Sequence, residues 1–110
     1  YDEVAASNPE FGKYGWLDSI EEPTLEGNTF TVRRTKDGDR GMLHNTVLLP
    51  QADNLRIDKV GGPGKENWVF GTNYPNNAVA PYLDNANERG AWRVEVSPAA
   101  PAVTDNFLNV

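Results

Sequence analysis

The chain has 110 residues, with 10 Lys and Arg against 16 Asp and Glu, which gives a formal net charge of −6. This length suits one domain, and a hydrophobic fraction of 38% is enough for a folded core, which argues against intrinsic disorder. The lack of cysteine excludes disulfides and thiol nucleophiles, the scattered basic residues argue against nucleic acid, and no apolar run approaches the roughly 20 residues of a membrane helix.

Turn-forming residues divide the first half of the chain into short alternating segments, a pattern typical of an antiparallel sandwich or barrel. Asn28–Arg34 alternates, with Phe30 and Val32 on one face. A turn rich in Gly and Asp then leads to Met42–Leu49. The last four residues of that segment predict a strand that is covered on both faces and ended by Pro50.

The second half of the chain continues the same pattern. Leu55–Val60 alternates, Asn67–Phe70 predicts a short strand, and Asn76–Arg89 is expected to be mostly loop. Ala91–Ser97 has the clearest alternation, with three inward residues, Trp92, Val94 and Val96. Asp105–Val110 predicts a final strand that enters a core, so we expect the chain to be a segment of a longer protein. The predicted fold is an all-β antiparallel β-sandwich.

The ionisable residues do not assemble into a predicted catalytic or metal site. His44, the single histidine, lies inside a strand, where a hydrogen-bonded sheet residue is favoured over a general base. Glu21 and Glu22 are adjacent in an extended segment, so their side chains splay apart. Asp37 and Asp39 resemble the start of a calcium loop, but the remaining ligands are missing, which favours a hairpin turn. We therefore assign no catalytic residue and no metal ligand.

The aromatic residues indicate carbohydrate binding, because flat aromatic faces stack on pyranose rings. Trp68 and Tyr74, next to Gly-rich loops, are the candidate carbohydrate-binding residues, although Trp68 is also placed to pack under its loop. Trp92 is expected in the core. The net charge of −6 opposes capture of a sulfated polymer unless basic residues gather on one face. The residues in question are Lys59, Lys65, Arg89 and Arg93.

Val4–Pro23 resembles the segment Asn-Pro-x-Phe-Lys-Lys-x-Trp-Leu-Leu-His-Ser-Ile-Glu-Glu-Pro of the heparinase II/III-like polysaccharide lyases. Later stretches resemble further segments of that family in the same order: Gly41–Pro50, Val60–Gly64, Gly71–Tyr74, Gly90–Pro98 and Asp105–Val110. The resemblance spans nearly the whole chain. Asp18 stands where the family often has His, and Gly15 stands near its Trp, which leaves the subfamily and its uronate polymer open.

The resemblance implies a bacterial, periplasmic or secreted lyase that cleaves heparin or heparan sulfate-type uronic-acid polysaccharides by β-elimination. Such lyases consist of an α/α toroid, a central β-sandwich and a small C-terminal β-domain. Residues 1–23 would be the edge of the preceding sandwich or an entry strand, and residues 24–110 the C-terminal β-domain. Its partners would be the two upstream domains and, through them, the polysaccharide. The family's catalytic residues lie upstream, so this chain alone is expected to be inactive and to hold no cofactor.

Three alternatives remain open at this point. One is a free-standing carbohydrate-binding module that uses Trp68 and Tyr74, which predicts an exposed aromatic platform. Another is a lyase domain for alginate-type polyuronates. The third is a structural β-domain without a ligand. The lyase-domain hypothesis itself predicts an apolar face that is covered only in the longer protein.

Overall fold

The structure, a computed structural model, describes residues 1–35, 38–75 and 90–110. These residues form ten strands, with a 3-10 turn at Ala52–Asn54 between the fifth and the sixth. The strands are β1 Asp2–Ala5, β2 Gly15–Ser19, β3 Thr24–Glu26, β4 Thr29–Arg34, β5 Gly41–Leu49, β6 Leu55–Gly61, β7 Trp68–Val69, β8 Thr72–Asn73, β9 Trp92–Pro98 and β10 Thr104–Asn109. Every described strand pair is antiparallel, so the predicted all-β antiparallel fold is confirmed. The predicted loop over Asn76–Arg89 lies outside the described residues.

The described strands form two main sheets and a small ribbon. One sheet has the order β1-β10-β5-β4-β3, the other has the order β2-β9-β6, and β7 and β8 form the ribbon. Residues 1–23 contribute β1 and β2, which are outer strands of different sheets. β1 pairs with β10 and β2 pairs with β9, so this N-terminal segment is hydrogen-bonded into both layers.

The hydrophobic core lies between the two sheets, as in a β-sandwich. Phe30, Val47 and Phe107 project from the larger sheet and are at most 5% exposed. Val94 and Val96 meet them from β9 of the smaller sheet and are at most 3% exposed. The alternation in β4 and β9 therefore identified the inward faces correctly, because successive side chains of a strand point to opposite sides.

Two burial predictions are wrong. Leu48 is 44% exposed because the end of β5 alternates, with Val47 as its buried residue, and is not covered on both faces. Trp92 is half-buried and lies outside the core because it stands at the first position of β9, at the end of the sandwich. Its ring packs closely on Gly62, and the Lys59 Nζ lies 5.5 Å from the ring centroid. Trp92 therefore covers a loop and does not fill the core.

A buried ion pair connects the segment before β2 to β10. The Lys13 Nζ lies 3.0 Å from Asp105 Oδ2 and donates a hydrogen bond to the Ala102 carbonyl oxygen at 2.5 Å. Lys13 is 6% exposed and Asp105 is 7% exposed. Buried charges need a close partner of opposite sign, so this pair fixes the entry to β2 of the smaller sheet against β10 of the larger sheet.

Candidate functional site

An exposed cleft of about 530 Å³ lies on the outer face of the smaller sheet. Four aromatic rings and one ion pair dominate its lining. These residues are Tyr14, Trp16, Trp68, Phe70, Arg93 and Glu95, and we call the surface that they form the aromatic cleft. It combines three segments of the chain: the entry to β2, the β7–β8 ribbon and the middle of β9.

Strand register places Trp16 in the aromatic cleft. Leu17 pairs with the buried Val94, so the side chains next to Leu17 in β2 point away from the core. Trp16 pairs directly with Glu95 and is 67% exposed. Tyr14, just before β2, is 60% exposed. Two large rings are thus presented to solvent on the face opposite the core.

Arg93 holds the ribbon against the sheet. Its Nε donates a hydrogen bond to Glu95 Oε1 at 2.6 Å, and its Nη2 donates one to the Trp68 carbonyl oxygen at 2.6 Å. The guanidinium carbon lies 5.8 Å from the centroid of the Trp16 ring, within the range of a cation–π contact. The Arg93 and Glu95 side chains are 15% and 19% exposed. The cleft therefore has a fixed polar floor whose charges neutralise each other.

The β7–β8 ribbon is organised by local hydrogen bonds. The Asn67 N–H donates to Asn73 Oδ1 at 2.8 Å, and the Asn73 amide donates to Glu66 Oε2 at 3.3 Å. The N–H of Glu66 itself and then that of Gly64 lower the pKa of the Glu66 carboxyl below its ordinary value, because both hydrogen bonds favour the carboxylate. These bonds fix the loop from which Trp68 and Phe70 are presented.

The structure separates the two residues that the sequence predicted together. Trp68 lines the aromatic cleft with Trp16, and the Lys65 Nζ lies 5.3 Å from the Trp68 ring centroid. Tyr74 is 55% exposed but does not line the cleft. Sequence reasoning did not select Trp16. The alternation in β2 could have identified it, because a Leu17 side chain that points toward the core requires the neighbouring Trp16 side chain to point outward.

The basic residues considered in the sequence do not form a separate anionic-polymer surface in the described part of the chain. Lys59 Nζ lies 2.6 Å from Glu22 Oε1 and also donates to the Pro23 carbonyl oxygen. Arg93 pairs with Glu95, and Lys65 lies over Trp68. Arg89 lies outside the described residues. The positive charge near the aromatic cleft is therefore limited and largely compensated.

The remaining polar candidates have structural partners. His44 Nδ1 on β5 lies 2.9 Å from Thr31 Oγ1 on β4. This confirms the prediction that His44 is a hydrogen-bonded residue of the sheet. Glu21 accepts hydrogen bonds from the Thr35 N–H and hydroxyl, whereas Glu22 binds Lys59, so the predicted splaying is confirmed. Asp37 lies outside the described residues. Within the described ranges, no three His, Asp or Glu residues are grouped to hold a metal ion.

A second surface depression of about 390 Å³ lies against the β4–β5 hairpin. Its apolar side chains include Ile20, Val32, Met42 and Leu43. Met42 is 57% exposed and Leu43 is 46% exposed. The residues described around this depression include no aromatic ring, which distinguishes it chemically from the aromatic cleft.

The chain matches no protein-family model, and no curated protein sequence matches it. None of the residues that the structure describes forms a helix long and apolar enough to cross a membrane.

Proposed function

We propose that this chain is a non-catalytic β-domain of a bacterial, secreted or periplasmic polysaccharide lyase, and that its aromatic cleft binds the uronic-acid polysaccharide that the lyase cleaves. The aromatic cleft is the observation that carries this proposal. The resemblance to heparinase II/III-like lyases supplies the reaction, β-elimination, and the substrate class, heparin or heparan sulfate. An alginate-type polyuronate is the alternative substrate.

The chemistry of the aromatic cleft suits a sugar chain. Its volume, about 530 Å³, falls within the range of small-ligand sites. The exposed rings of Tyr14 and Trp16 offer flat apolar surfaces for the C–H faces of pyranose rings. The Arg93–Glu95 pair offers fixed donors and acceptors for hydroxyl groups at the same place. A ligand that is apolar on its faces and polar at its rim matches both features.

The charge distribution favours a sparsely sulfated stretch of the polysaccharide. The chain carries a formal net charge of −6, and Arg93 is neutralised by Glu95. A densely sulfated chain needs several uncompensated Lys and Arg side chains to offset its sulfate charges. We therefore expect binding that depends weakly on salt and is stronger for unsulfated than for fully sulfated oligosaccharides.

Replacing Trp16 by Ala is expected to weaken binding of an unsulfated glucosamine–uronate hexasaccharide by about tenfold, because the ring's stacking surface is lost. Trp16 is 67% exposed, so its removal leaves the core packed. The affinity is measured by isothermal titration calorimetry, with circular dichroism as the check on folding. Tyr74→Ala is the matched control, because it removes an exposed ring outside the cleft and should leave the affinity unchanged.

Two results would count against this role of the cleft. If unsulfated, sulfated and alginate oligosaccharides all fail to bind the wild-type chain, the carbohydrate-binding proposal is wrong. If Tyr74→Ala weakens binding and Trp16→Ala does not, the site is centred near Tyr74, as the sequence first suggested, and the aromatic cleft is not used.

The lyase assignment has a separate test. We expect this chain alone to release no unsaturated uronate from heparin, heparan sulfate or alginate, and a longer protein that contains it to do so, as measured by ultraviolet absorbance of the product. Product formation by the chain alone would contradict a non-catalytic role. A free-standing carbohydrate-binding module is the second candidate, favoured by the same cleft, and it predicts binding without cleavage in both samples.

A further inference from the structure

The turn at the tip of the β7–β8 ribbon has an unusual residue. Val69 pairs with Thr72, so Phe70 and Gly71 form a two-residue hairpin loop. Their φ angles are 47° and 83°, and positive φ at both positions is the mark of a type I′ turn. Asn, Asp and Gly are the residues that this turn favours at its first position. A bulky aromatic residue there is a backbone outlier.

The Phe70 side chain does not offset this backbone cost by packing on its own chain. It is 101% exposed, so the whole ring faces solvent. It also lines the aromatic cleft, next to Val69 and Gly71. Strained backbone positions of this kind cluster at ligand-binding sites. There the strain in the free protein holds a side chain in the position that the ligand contacts.

We infer that Phe70 is a carbohydrate-contacting residue that closes one side of the aromatic cleft over a sugar ring. This inference rests on the proposed function and deepens it. A saccharide seated in the cleft would meet Trp16 on the sheet side and Phe70 on the ribbon side. Two rings from separate elements would then cover more apolar surface than either ring alone.

The ribbon is held in a way that suits this role. The Arg93 Nη2 donates to the Trp68 carbonyl oxygen at 2.6 Å, which anchors β7 to the sheet two residues before Phe70. The Asn67 and Asn73 hydrogen bond at 2.8 Å closes the other end of the ribbon. Phe70 is therefore presented on a turn whose backbone is supported on both sides, so little backbone freedom is lost on binding.

Replacing Phe70 by Asn separates a ligand contact from a structural role. Asn suits the first position of a type I′ turn, so amide hydrogen exchange in the β7–β8 ribbon is expected to slow by about tenfold. The affinity for the unsulfated hexasaccharide is expected to fall by about tenfold, because the ring's contact surface is lost. Met42→Ala is the control, because it removes an exposed apolar side chain on the β4–β5 hairpin, outside the aromatic cleft, and it should leave both measurements unchanged.

The outcomes distinguish this inference from the function on which it rests. A more protected ribbon with weaker binding in Phe70→Asn supports the ligand contact. Unchanged affinity in Phe70→Asn together with weaker binding in Trp16→Ala overturns the role of Phe70 and leaves the cleft as a carbohydrate site. Unchanged affinity in both variants overturns the inference and the proposed function together. A less protected ribbon in Phe70→Asn would mean that the ring stabilises the turn, which also overturns the inference.

Discussion

Replacing Lys13 by Met is expected to lower the free energy of unfolding by about 3–5 kcal/mol, the range for breaking one side of a buried ion pair. The variant leaves the Asp105 carboxylate 7% exposed, without its cation, and removes the hydrogen bond to the Ala102 carbonyl oxygen. Met retains most of the volume of the Lys side chain, so the loss reports charge and hydrogen bonding and not a cavity. Urea unfolding followed by circular dichroism measures the change.

Arg56→Met provides the control for this experiment. The Arg56–Asp58 pair is also short, at 2.5 Å, but its side chains are 68% and 42% exposed. Exposed pairs of this kind contribute about 0–1 kcal/mol, so this variant should unfold almost like the wild type. The double variant Lys13→Met with Asp105→Leu should recover much of the lost stability, because no unpaired charge remains. A loss below about 1 kcal/mol in Lys13→Met would contradict the burial of this pair.

The period-two pattern identified those parts of the fold that depend on local sequence. Phe30, Val94 and Val96 were assigned to the inward face because each strand has one face toward the core, and alternation alone is enough to find it. Trp92 was assigned to the same face but lies outside the core. Alternation predicts which face of the sheet a side chain lies on. It does not predict whether the opposing sheet extends far enough along the strand to cover that side chain.

The pairing of the N-terminal segment depends on long-range contacts that local patterns do not encode. All four residues of β1 are exposed, so β1 has no alternation of burial to detect. It is placed by hydrogen bonding to β10, in which Val4 pairs with Asp105. The buried partner of Lys13 is likewise distant in sequence. A single sequence shows which residues are present, but it does not show which distant residues pair with each other.

The candidate site could be predicted only in part for the same reason. Composition and the neighbouring glycines indicated Trp68, and alternation placed Arg93 and Glu95 on the outer face. The aromatic cleft exists because the ribbon folds back over β9 and the entry to β2 lies beside it. Trp16 and Phe70 are separated by more than fifty positions in the chain. They line the same cleft because of how the strands pair, and no local sequence motif encodes this.

Replacing Gly61 by Ala is expected to destabilise the fold by about 3 kcal/mol or more, the sum of a backbone penalty and a steric one. Gly61 has a φ of 146°, which L side chains rarely adopt. A Cβ at this position would lie 2.3 Å from the Ala91 carbonyl oxygen and 2.6 Å from the Trp92 Cα. Both are backbone atoms, one just before β9 and one at its first residue, so neither can rotate away. Urea unfolding of the variant measures the loss.

Gly64→Ala isolates the backbone penalty. Gly64 has a φ of 80° in the same glycine-rich segment, and a Cβ there would meet nothing within 4 Å. Its replacement should cost about 1–2 kcal/mol, the conformational penalty alone. The excess in Gly61→Ala combines the stronger backbone strain at a φ of 146° with the steric contact between the end of β6 and the start of β9. Because Gly61 pairs with Trp92, next to Arg93, that packing also holds one wall of the aromatic cleft. Equal losses in the two variants would contradict this close approach and with it the rigidity of that wall.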